Sequence, residues 1–372
     1  MNDEIARRVT EEFCTIVKID SLSLREEKMF EYLHRRVEKL PVQAQFLPYE
    51  LEETGSRSGN FVVKLPANTT GRRSVFFDAH VDTVEPGMGI RPVVRDGVIT
   101  SEGNTILGSD DKAGVAAMLI ALEDLVKTGA PHGDVTFVFT SAEEIGLLGA
   151  SKLDIRAVKS DFGFILDSHG SVGGVVTAAP TQYKYRISVR GKAAHAGIEP
   201  EQGISAIRIA AKIISKLPQG RINGNTVSNV GVVEGGKATN IIPDECIIEG
   251  EFRSHSVADI AGLVRRVTGT VERYRREAVG IDLELNEMYP GFSYGADAPI
   301  LSVAGEAIRS LGIEPRFERT GGGSNTNIYN AHGEPSVTLA VGMTKVHSTE
   351  ESIRVQDLTD LVRLIVRIVE TV

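Results

Sequence analysis

The run Phe76-Phe77-Asp78-Ala79-His80-Val81-Asp82-Thr83 constrains this chain most, because an apolar stretch ends there in a histidine and an acid two residues apart. Side chains on a β-strand alternate faces, so His80 and Asp82 emerge from one side at the strand's C-terminal end, where open α/β sheets collect their ligands. A carboxylate beside a histidine fixes its tautomer and raises the basicity of the other ring nitrogen, which suits metal binding. A strand-end histidine can equally be an ordinary hydrogen-bonded residue, so the pair gains meaning only from its company.

That company is present. Residues 134–140 (DVTFVFT) and 161–166 (DFGFIL) are β-branched and aromatic runs that end in Glu143-Glu144 and Asp167. Between the first two strands, Gly108-Ser109-Asp110-Asp111-Lys112-Ala113-Gly114 opens a strongly apolar helix that Gly129 and Pro131 stop. One aspartate satisfies the need for an N-cap, and the second leaves a carboxylate to be explained. Adjacent glutamates at a strand end repel each other unless a cation or a proton separates their charges. A last strand at 335–341 leads into Val346-His347-Ser348-Thr349-Glu350-Glu351. Strand ends and their loops therefore contribute His80, Asp110, Glu143, Glu144, Asp167 and His347 to one sheet domain. Cys14 and Cys246 make neither a disulfide framework nor a thiolate zinc site, so a metal must be held by histidine and carboxylate. Such donors suit Zn²⁺, Mn²⁺ or Co²⁺, and a carboxylate can bridge two ions.

A chain of 372 residues exceeds what one core usually supports, which predicts two domains. Helices are expected at 4–19 and 25–40, strands at 60–66 and 74–80 around a turn at 68–73, and a loop with a small hairpin at 85–108. From residue 180 the texture changes: alternating strands at 183–190, 226–234, 245–253 and 281–288, with helices at 203–217 and 258–278, predict an antiparallel sheet faced by two helices. Apolar helices at 298–311 and 355–369 return to the first domain. The expected division is 1–179 and 293–372 for the catalytic domain, interrupted by an insert at 180–292. A net charge of −9 argues against non-specific nucleic-acid binding, no apolar run is long enough for a bilayer, and the charged N-terminus lacks a secretory segment, so a cytoplasmic enzyme is expected.

The strings FDAHVDTV, GSDDKAG, SAEEIGLLGA, ILDSHG and VHSTEE, in that order, resemble the di-zinc exopeptidases that include peptidase T, carboxypeptidase G, aminoacylase and succinyl-diaminopimelate desuccinylase. GKAAHAG and ATNIIPDECIIEGEFRS extend the resemblance through the insert, and DDKAG with HSTEE is most similar to the peptidase T branch. The resemblance implies an α/β catalytic domain with a mixed sheet and helices on both faces, plus an α+β lid and dimerisation domain. It implies two zinc ions, or cobalt or manganese: His80 and Asp167 on one, Glu144 and His347 on the other, and Asp110 on both. Asp82 would orient His80, Glu143 would be the general base, His195 would stabilise the oxyanion, and Asn240 and Arg253 would contact the polar termini of a short peptide. A cis peptide is implied at Asp110-Asp111. The activity implied is removal of the N-terminal residue from short peptides by a homodimer joined through 180–292. Deacylation of N-acyl amino acids, carboxypeptidase activity and a non-catalytic metal-binding dimer are the alternatives.

Relatives usually carry aspartate where this chain has Asn325, which predicts altered recognition of a free amino group. Gly321-Gly322-Gly323 lacks the ending of a phosphate loop and a suitable following helix, and reads as a turn that lets backbone, Gly322 foremost, approach substrate. His34 reads as a surface residue, His169 as a loop residue outside the ligand set, and His132, His255 and His332 as turn residues without a role.

Overall fold

The computed structural model describes residues 2–51 and 55–372. It divides into two compact units, one comprising the chain up to Thr177 with Ser293–Arg319 and Ser324–Val372, the other Ala178–Phe292 with Thr320–Gly323.

The first unit begins with helices α1 (Asn2–Ile16) and α2 (Glu27–Val37) and strands β1 (Gln43–Glu50), β2 (Arg57–Leu65) and β3 (Val75–His80). A hairpin, β4 (Pro92–Arg95) and β5 (Val98–Ser101), precedes α3 (Ser109–Thr128), β6 (Val135–Thr140), α4 (Leu148–Lys152), β7 (Phe162–Ser168) and β8 (Gly174–Ala179). The second unit holds β9 (Thr181–Arg190), α5 (Ala206–Ile214), β10 (Gly220–Asn223), β11 (Thr226–Gly235), β12 (Glu245–Ser254), α6 (Val257–Tyr274) and β13 (Gly280–Tyr289). The chain closes with β14 (Phe292–Ser293), α7 (Pro299–Ser310), β15 (Arg316–Arg319), α8 (Asn325–Ala331), β16 (Ser336–Ala340), β17 (Ser352–Arg354) and α9 (Val355–Thr371).

The large sheet runs β1-β2-β6-β3-β7-β16-β8 and is mixed, with a parallel centre of β6, β3, β7 and β16. Central parallel strands are covered on both faces and read as continuous apolar runs, which is why β3, β6 and β16 are buried at every position. Phe76 meets Tyr329 of α8 on one face, while Phe77 stacks with Phe137 and Phe164 on the other. The Phe77 face carries α3, whose close approach requires Gly114: a Cβ there would lie 2.9 Å from the Leu166 Cβ and 3.0 Å from the Ala79 Cβ. Helix α3 is apolar all round because α1 and α9 cover its outer side.

In the second unit β10-β11-β12-β9-β13 form an antiparallel sheet. Tyr185, Ile187 and Val189 alternate inward against Ile209 and Ile213 of α5 and Leu263 and Val267 of α6, as the period-two pattern predicts.

Several elements escaped the sequence pattern. Strand β1 is an edge strand, largely exposed and carrying Pro48, so it lacks apolar alternation. Helix α8 has only seven residues and directly follows the glycine run, where no helix was expected. The glycine loop itself groups with the insert rather than with the flanking domain. Its carbonyls explain this: Thr320 O accepts from His255 Nε2 at 3.0 Å, and Gly321 O accepts from Arg253 Nη1 at 3.3 Å.

Candidate metal centre and active site

Parallel strands end side by side, and this brings distant residues together. His80 pairs across from Thr140 in the β3–β6 ladder, so the turn Ser141–Glu144 starts beside it. Strand β7 lies on the other side of β3, and Asp167 occupies its C-terminal end. Beyond β7, β16 runs parallel to it and leads into the loop that carries His347. The fourth contribution comes from the start of α3, where Asp110 and Asp111 have non-helical backbone and a cis peptide joins them. Asp111 takes the capping role, its Oδ1 accepting from Gly114 N at 3.2 Å, and Asp110 is left free to face the strand ends.

The Asp110 carboxylate divides its oxygens between the histidines. Its Oδ1 lies 3.1 Å from His80 Nε2, and its Oδ2 lies 3.2 Å from His347 Nε2. Asp167 Oδ1 is 3.9 Å from His80 Nε2, and Glu144 Oε1 is 3.0 Å from His347 Nε2. Ligand atoms of His80, Asp110 and Glu144 all lie within 4.8 Å of one another. His80 Nδ1 meets the Asp82 main-chain carbonyl at 3.0 Å and its carboxylate at 3.4 Å, so Asp82 holds the imidazole mainly through its backbone. The Asp82 carboxylate serves the next loop: Oδ1 accepts from Glu143 N at 3.0 Å, and Oδ2 from Glu144 N at 3.3 Å and Ser23 Oγ at 2.6 Å.

In the other unit, His195 and Asn240 are exposed neighbours: His195 bridges to Ile241, and Ala196 N donates to Asn240 O at 2.9 Å. His195 Nδ1 accepts from Gly197 N at 3.2 Å, which leaves Nε2 as the donor of a neutral ring. Arg253 is already paired. Its Nε donates to Glu251 Oε1 at 2.9 Å and its Nη2 to Glu251 Oε2 at 3.3 Å, so a carboxylate of this chain occupies that edge of the guanidinium. Gly322 N is turned onto its own loop, donating to Thr320 Oγ1 at 3.2 Å.

Residues 76–371 match peptidase family M20/M25/M40. The chain belongs to this peptidase family. It is 39% identical to the uncharacterized protein YqjE of Bacillus subtilis (strain 168), covering 98% of both chains. It is 27% identical to a peptidase T of Bacillus mycoides, over 97% of this chain and 98% of the other. The solved structure of the aminopeptidase PepT from Bacillus cereus ATCC 10987 superposes with a TM-score of 0.87 at 40% identity, over 98% of each chain. A tripeptidase from Staphylococcus aureus superposes with a TM-score of 0.89 at 35% identity, again over 98% of each.

The electrostatics of this M20 site call for cations. Burial, reinforced by Glu144, Asp82 and Asp110, pushes Glu143 up to about 8, and burial with Glu143 and Asp110 nearby raises Asp167 well above the carboxylate range. Hydrogen bonds to Asp110 and Glu144 raise His347 to about 10. Burial opposes a charged His80, but its bonds to Asp110 and Asp82 outweigh that and raise it too. Burial opposes the charge on Asp110 as well, yet the two histidines hold its carboxyl below its usual range. Five acids thus converge with two imidazoles, an excess of negative charge that divalent ions would balance. Histidine and carboxylate donors, several of them buried, fit a pair of such ions.

One residue that positions this centre stands in the HSTEE string, where the sequence assigned it no role. Glu351, almost fully buried, accepts from Leu107 N at 2.7 Å, Gly108 N at 2.9 Å, Ser109 Oγ at 2.5 Å and Asp110 N at 3.1 Å. It sits four residues beyond His347, so it ties the His347 loop to the Asp110 turn. Asn325 is a correction of the opposite kind. It is 1% exposed at the start of α8 and donates to Asp78 Oδ1 of β3 at 2.9 Å and Thr140 Oγ1 of β6 at 2.8 Å, so its NH₂ ties the helix to the sheet. His34 and His169 are exposed, and among the described residues no helix is long and apolar enough to cross a membrane.

Proposed function

We propose that this chain is a two-metal aminopeptidase that removes the N-terminal residue from short peptides in the manner of peptidase T. The observation that carries the proposal is the Asp110 carboxylate, one oxygen directed to His80 and the other to His347, with the buried Glu143 in the adjacent turn. His80 and Asp167 would hold one ion, Glu144 and His347 the other, and Asp110 both. When bound, such ions supply Lewis acidity toward the scissile carbonyl and toward water. Glu143 takes the proton of the attacking water and returns it to the leaving amine, a task its buried place beside the Asp110 and Glu144 carboxylates suits. His195, with Nε2 as donor, stabilises charge developing on the carbonyl oxygen. Asn240, Arg253 and the Gly322 loop receive the polar ends of the peptide. The kinship with PepT and a tripeptidase supports the choice of substrate.

Zinc is the ion these donors suit best, with cobalt or manganese as substitutes, and the working form is a cytoplasmic homodimer joined through the 180–292 domain. The test is release of the N-terminal residue from a tripeptide, with and without a chelator, by the wild-type protein and Glu143→Gln. Wild-type activity lost on chelation, and lost in E143Q at unchanged metal content, is expected. Cleavage of N-acylated substrates alone would move the reading to a deacylase, and an active E143Q would end it.

A further inference from the structure

The segment 19–26, between α1 and α2, contributes no metal-ligand or base candidate yet is bonded to the end of β3, to the start of α3 and to the Glu143 loop. Lys112 Nζ donates to Ile19 O at 2.7 Å, Ser21 Oγ to Val81 O at 2.7 Å, and Thr83 N to Ser21 O at 3.0 Å. Ser23 Oγ donates to Asp82 Oδ2 at 2.6 Å. Glu26 then reaches the loop itself: its Oε1 accepts from Leu24 N at 2.8 Å and from Ala142 N at 3.0 Å, and its Oε2 from Ser58 Oγ at 3.0 Å.

Ala142 is the residue before Glu143 and has φ +51°, a left-handed conformation that an L-residue with a Cβ adopts only when its surroundings enforce it. Downstream, Gly146 N at 3.0 Å and Leu147 N at 2.8 Å donate to Glu143 O, and Leu148 N at 3.1 Å to Ala142 O; upstream, Ser141 N donates to Asn60 Oδ1 at 3.3 Å and Ser141 Oγ to Gly59 O at 2.7 Å. Asp82 holds the amides of Glu143 and Glu144. Glu26 is thus the acceptor for the amide of the strained residue itself, between the Ser141 anchors and the Asp82 bonds. Glu26 is 1% exposed, and no salt bridge reaches it among the described residues. Burial, with Asp82 nearby, raises its pKa to about 7. A glutamine could keep the two backbone N–H bonds at one oxygen without that desolvation cost, its NH₂ then donating to Ser58 Oγ, whereas the carboxylate accepts on both oxygens and makes the stronger, charge-assisted bonds.

We propose that Glu26, with Ser23 beside it, is a positioning residue for the reaction, its carboxylate fixing the peptide from which Glu143 projects. The proposal rests on Glu143 being the base of a peptidase, and its test separates the two ideas. Glu26→Ala, Glu26→Gln and the wild type are compared for tripeptide turnover, metal content and amide hydrogen exchange over 141–149. In E26A, kcat falls about 10-fold or more at a KM within about twofold, because displacing a reacting group by a fraction of an ångström is felt in turnover rather than in binding. Metal content stays at the wild-type value, and exchange quickens at 142–149 while the second unit is unchanged. E26Q, which keeps an acceptor oxygen, recovers kcat to within about threefold of wild type. Wild-type kcat in E26A, or loss of activity together with metal, would overturn the proposal, as would a folded E26Q no better than E26A. If the wild-type protein cleaves no peptide, the functional reading fails, and the exchange measurement alone decides the clamp: unchanged exchange over 141–149 in E26A refutes it.

Discussion

Replacing Glu351 by glutamine isolates one hydrogen bond of the metal centre. The side chain is 1% exposed and its oxygens are divided, Oε2 taking the amides of Leu107 and Gly108 and Oε1 taking Ser109 Oγ and the Asp110 amide. A glutamine must turn its NH₂ to one side. The Oε2 side offers only two N–H donors, whereas on the Oε1 side the Ser109 hydroxyl can rotate and accept. The oxygen therefore stays with Leu107 and Gly108, and Asp110 N is left facing an N–H. Loss of a buried amide's bond to a charged acceptor costs about 1.5–3 kcal/mol, which is roughly a 10- to 150-fold change in an equilibrium constant. That falls in the range of about 10–100-fold by which residues supporting a ligand alter metal affinity. The assay is competition of apo protein and a chromophoric chelator for Zn²⁺, with thermal melts to establish folding. The expected result is weakened affinity in E351Q with a modest change in stability. Wild-type affinity for both ions and unaltered kcat would show that the Asp110 turn holds its shape without Glu351.

Glu26 gives a pH signature independent of catalysis. Its folded pKa is about 7 against 4.5, so the folded state binds its proton more tightly, and the charged form disfavours folding above pH 7 by roughly 3 kcal/mol, a penalty relieved as pH falls toward 4.5. The stability of Glu26→Gln relative to wild type, from denaturant unfolding of metal-free protein, should therefore be more favourable at pH 8 than at pH 5; a pH-independent difference contradicts the raised pKa. Gly114→Ala puts a Cβ 2.7 Å from Asp111 Oδ1 and against the Cβ atoms of Ala79 and Leu166, and should cost about 1–3 kcal/mol and lower metal affinity, because Asp111 is joined directly to Asp110. Glu251→Gln should free one edge of Arg253 and lower KM for peptides with a free C-terminal carboxylate while leaving amidated peptides unchanged. Equal effects on both substrates would remove Arg253 from the C-terminal subsite.

The strand-end residues were legible because the physics that buries a parallel strand also writes it as an unbroken apolar run, so the first polar residue after the run marks the sheet's edge. His80 and Asp167 stand at such strand ends, Glu143 and Glu144 follow in the turn after β6, and His347 lies in the loop after β16. Asp110 was legible through arithmetic at the helix start, where Asp111 satisfied the cap. Glu351 and Glu26 were not, because a buried carboxylate that serves backbone amides carries no period and looks like any surface acid. Asn325 was misread because its partner Asp78 is 247 positions away, and only the folded sheet brings them together. Strand β1 and helix α8 were missed because an exposed edge strand and a seven-residue helix bury too little to leave a pattern.

The two histidines of the centre differ sharply in access to water: the His80 side chain is 1% exposed, and that of His347 is 49%. An ion liganded through His347 would have a partly open flank from which water or a chelator can displace it, while one liganded through His80 would be enclosed by the ends of three strands. Depletion should then proceed in two kinetic phases, and a preparation stripped briefly would retain a single, slowly exchanging ion per chain.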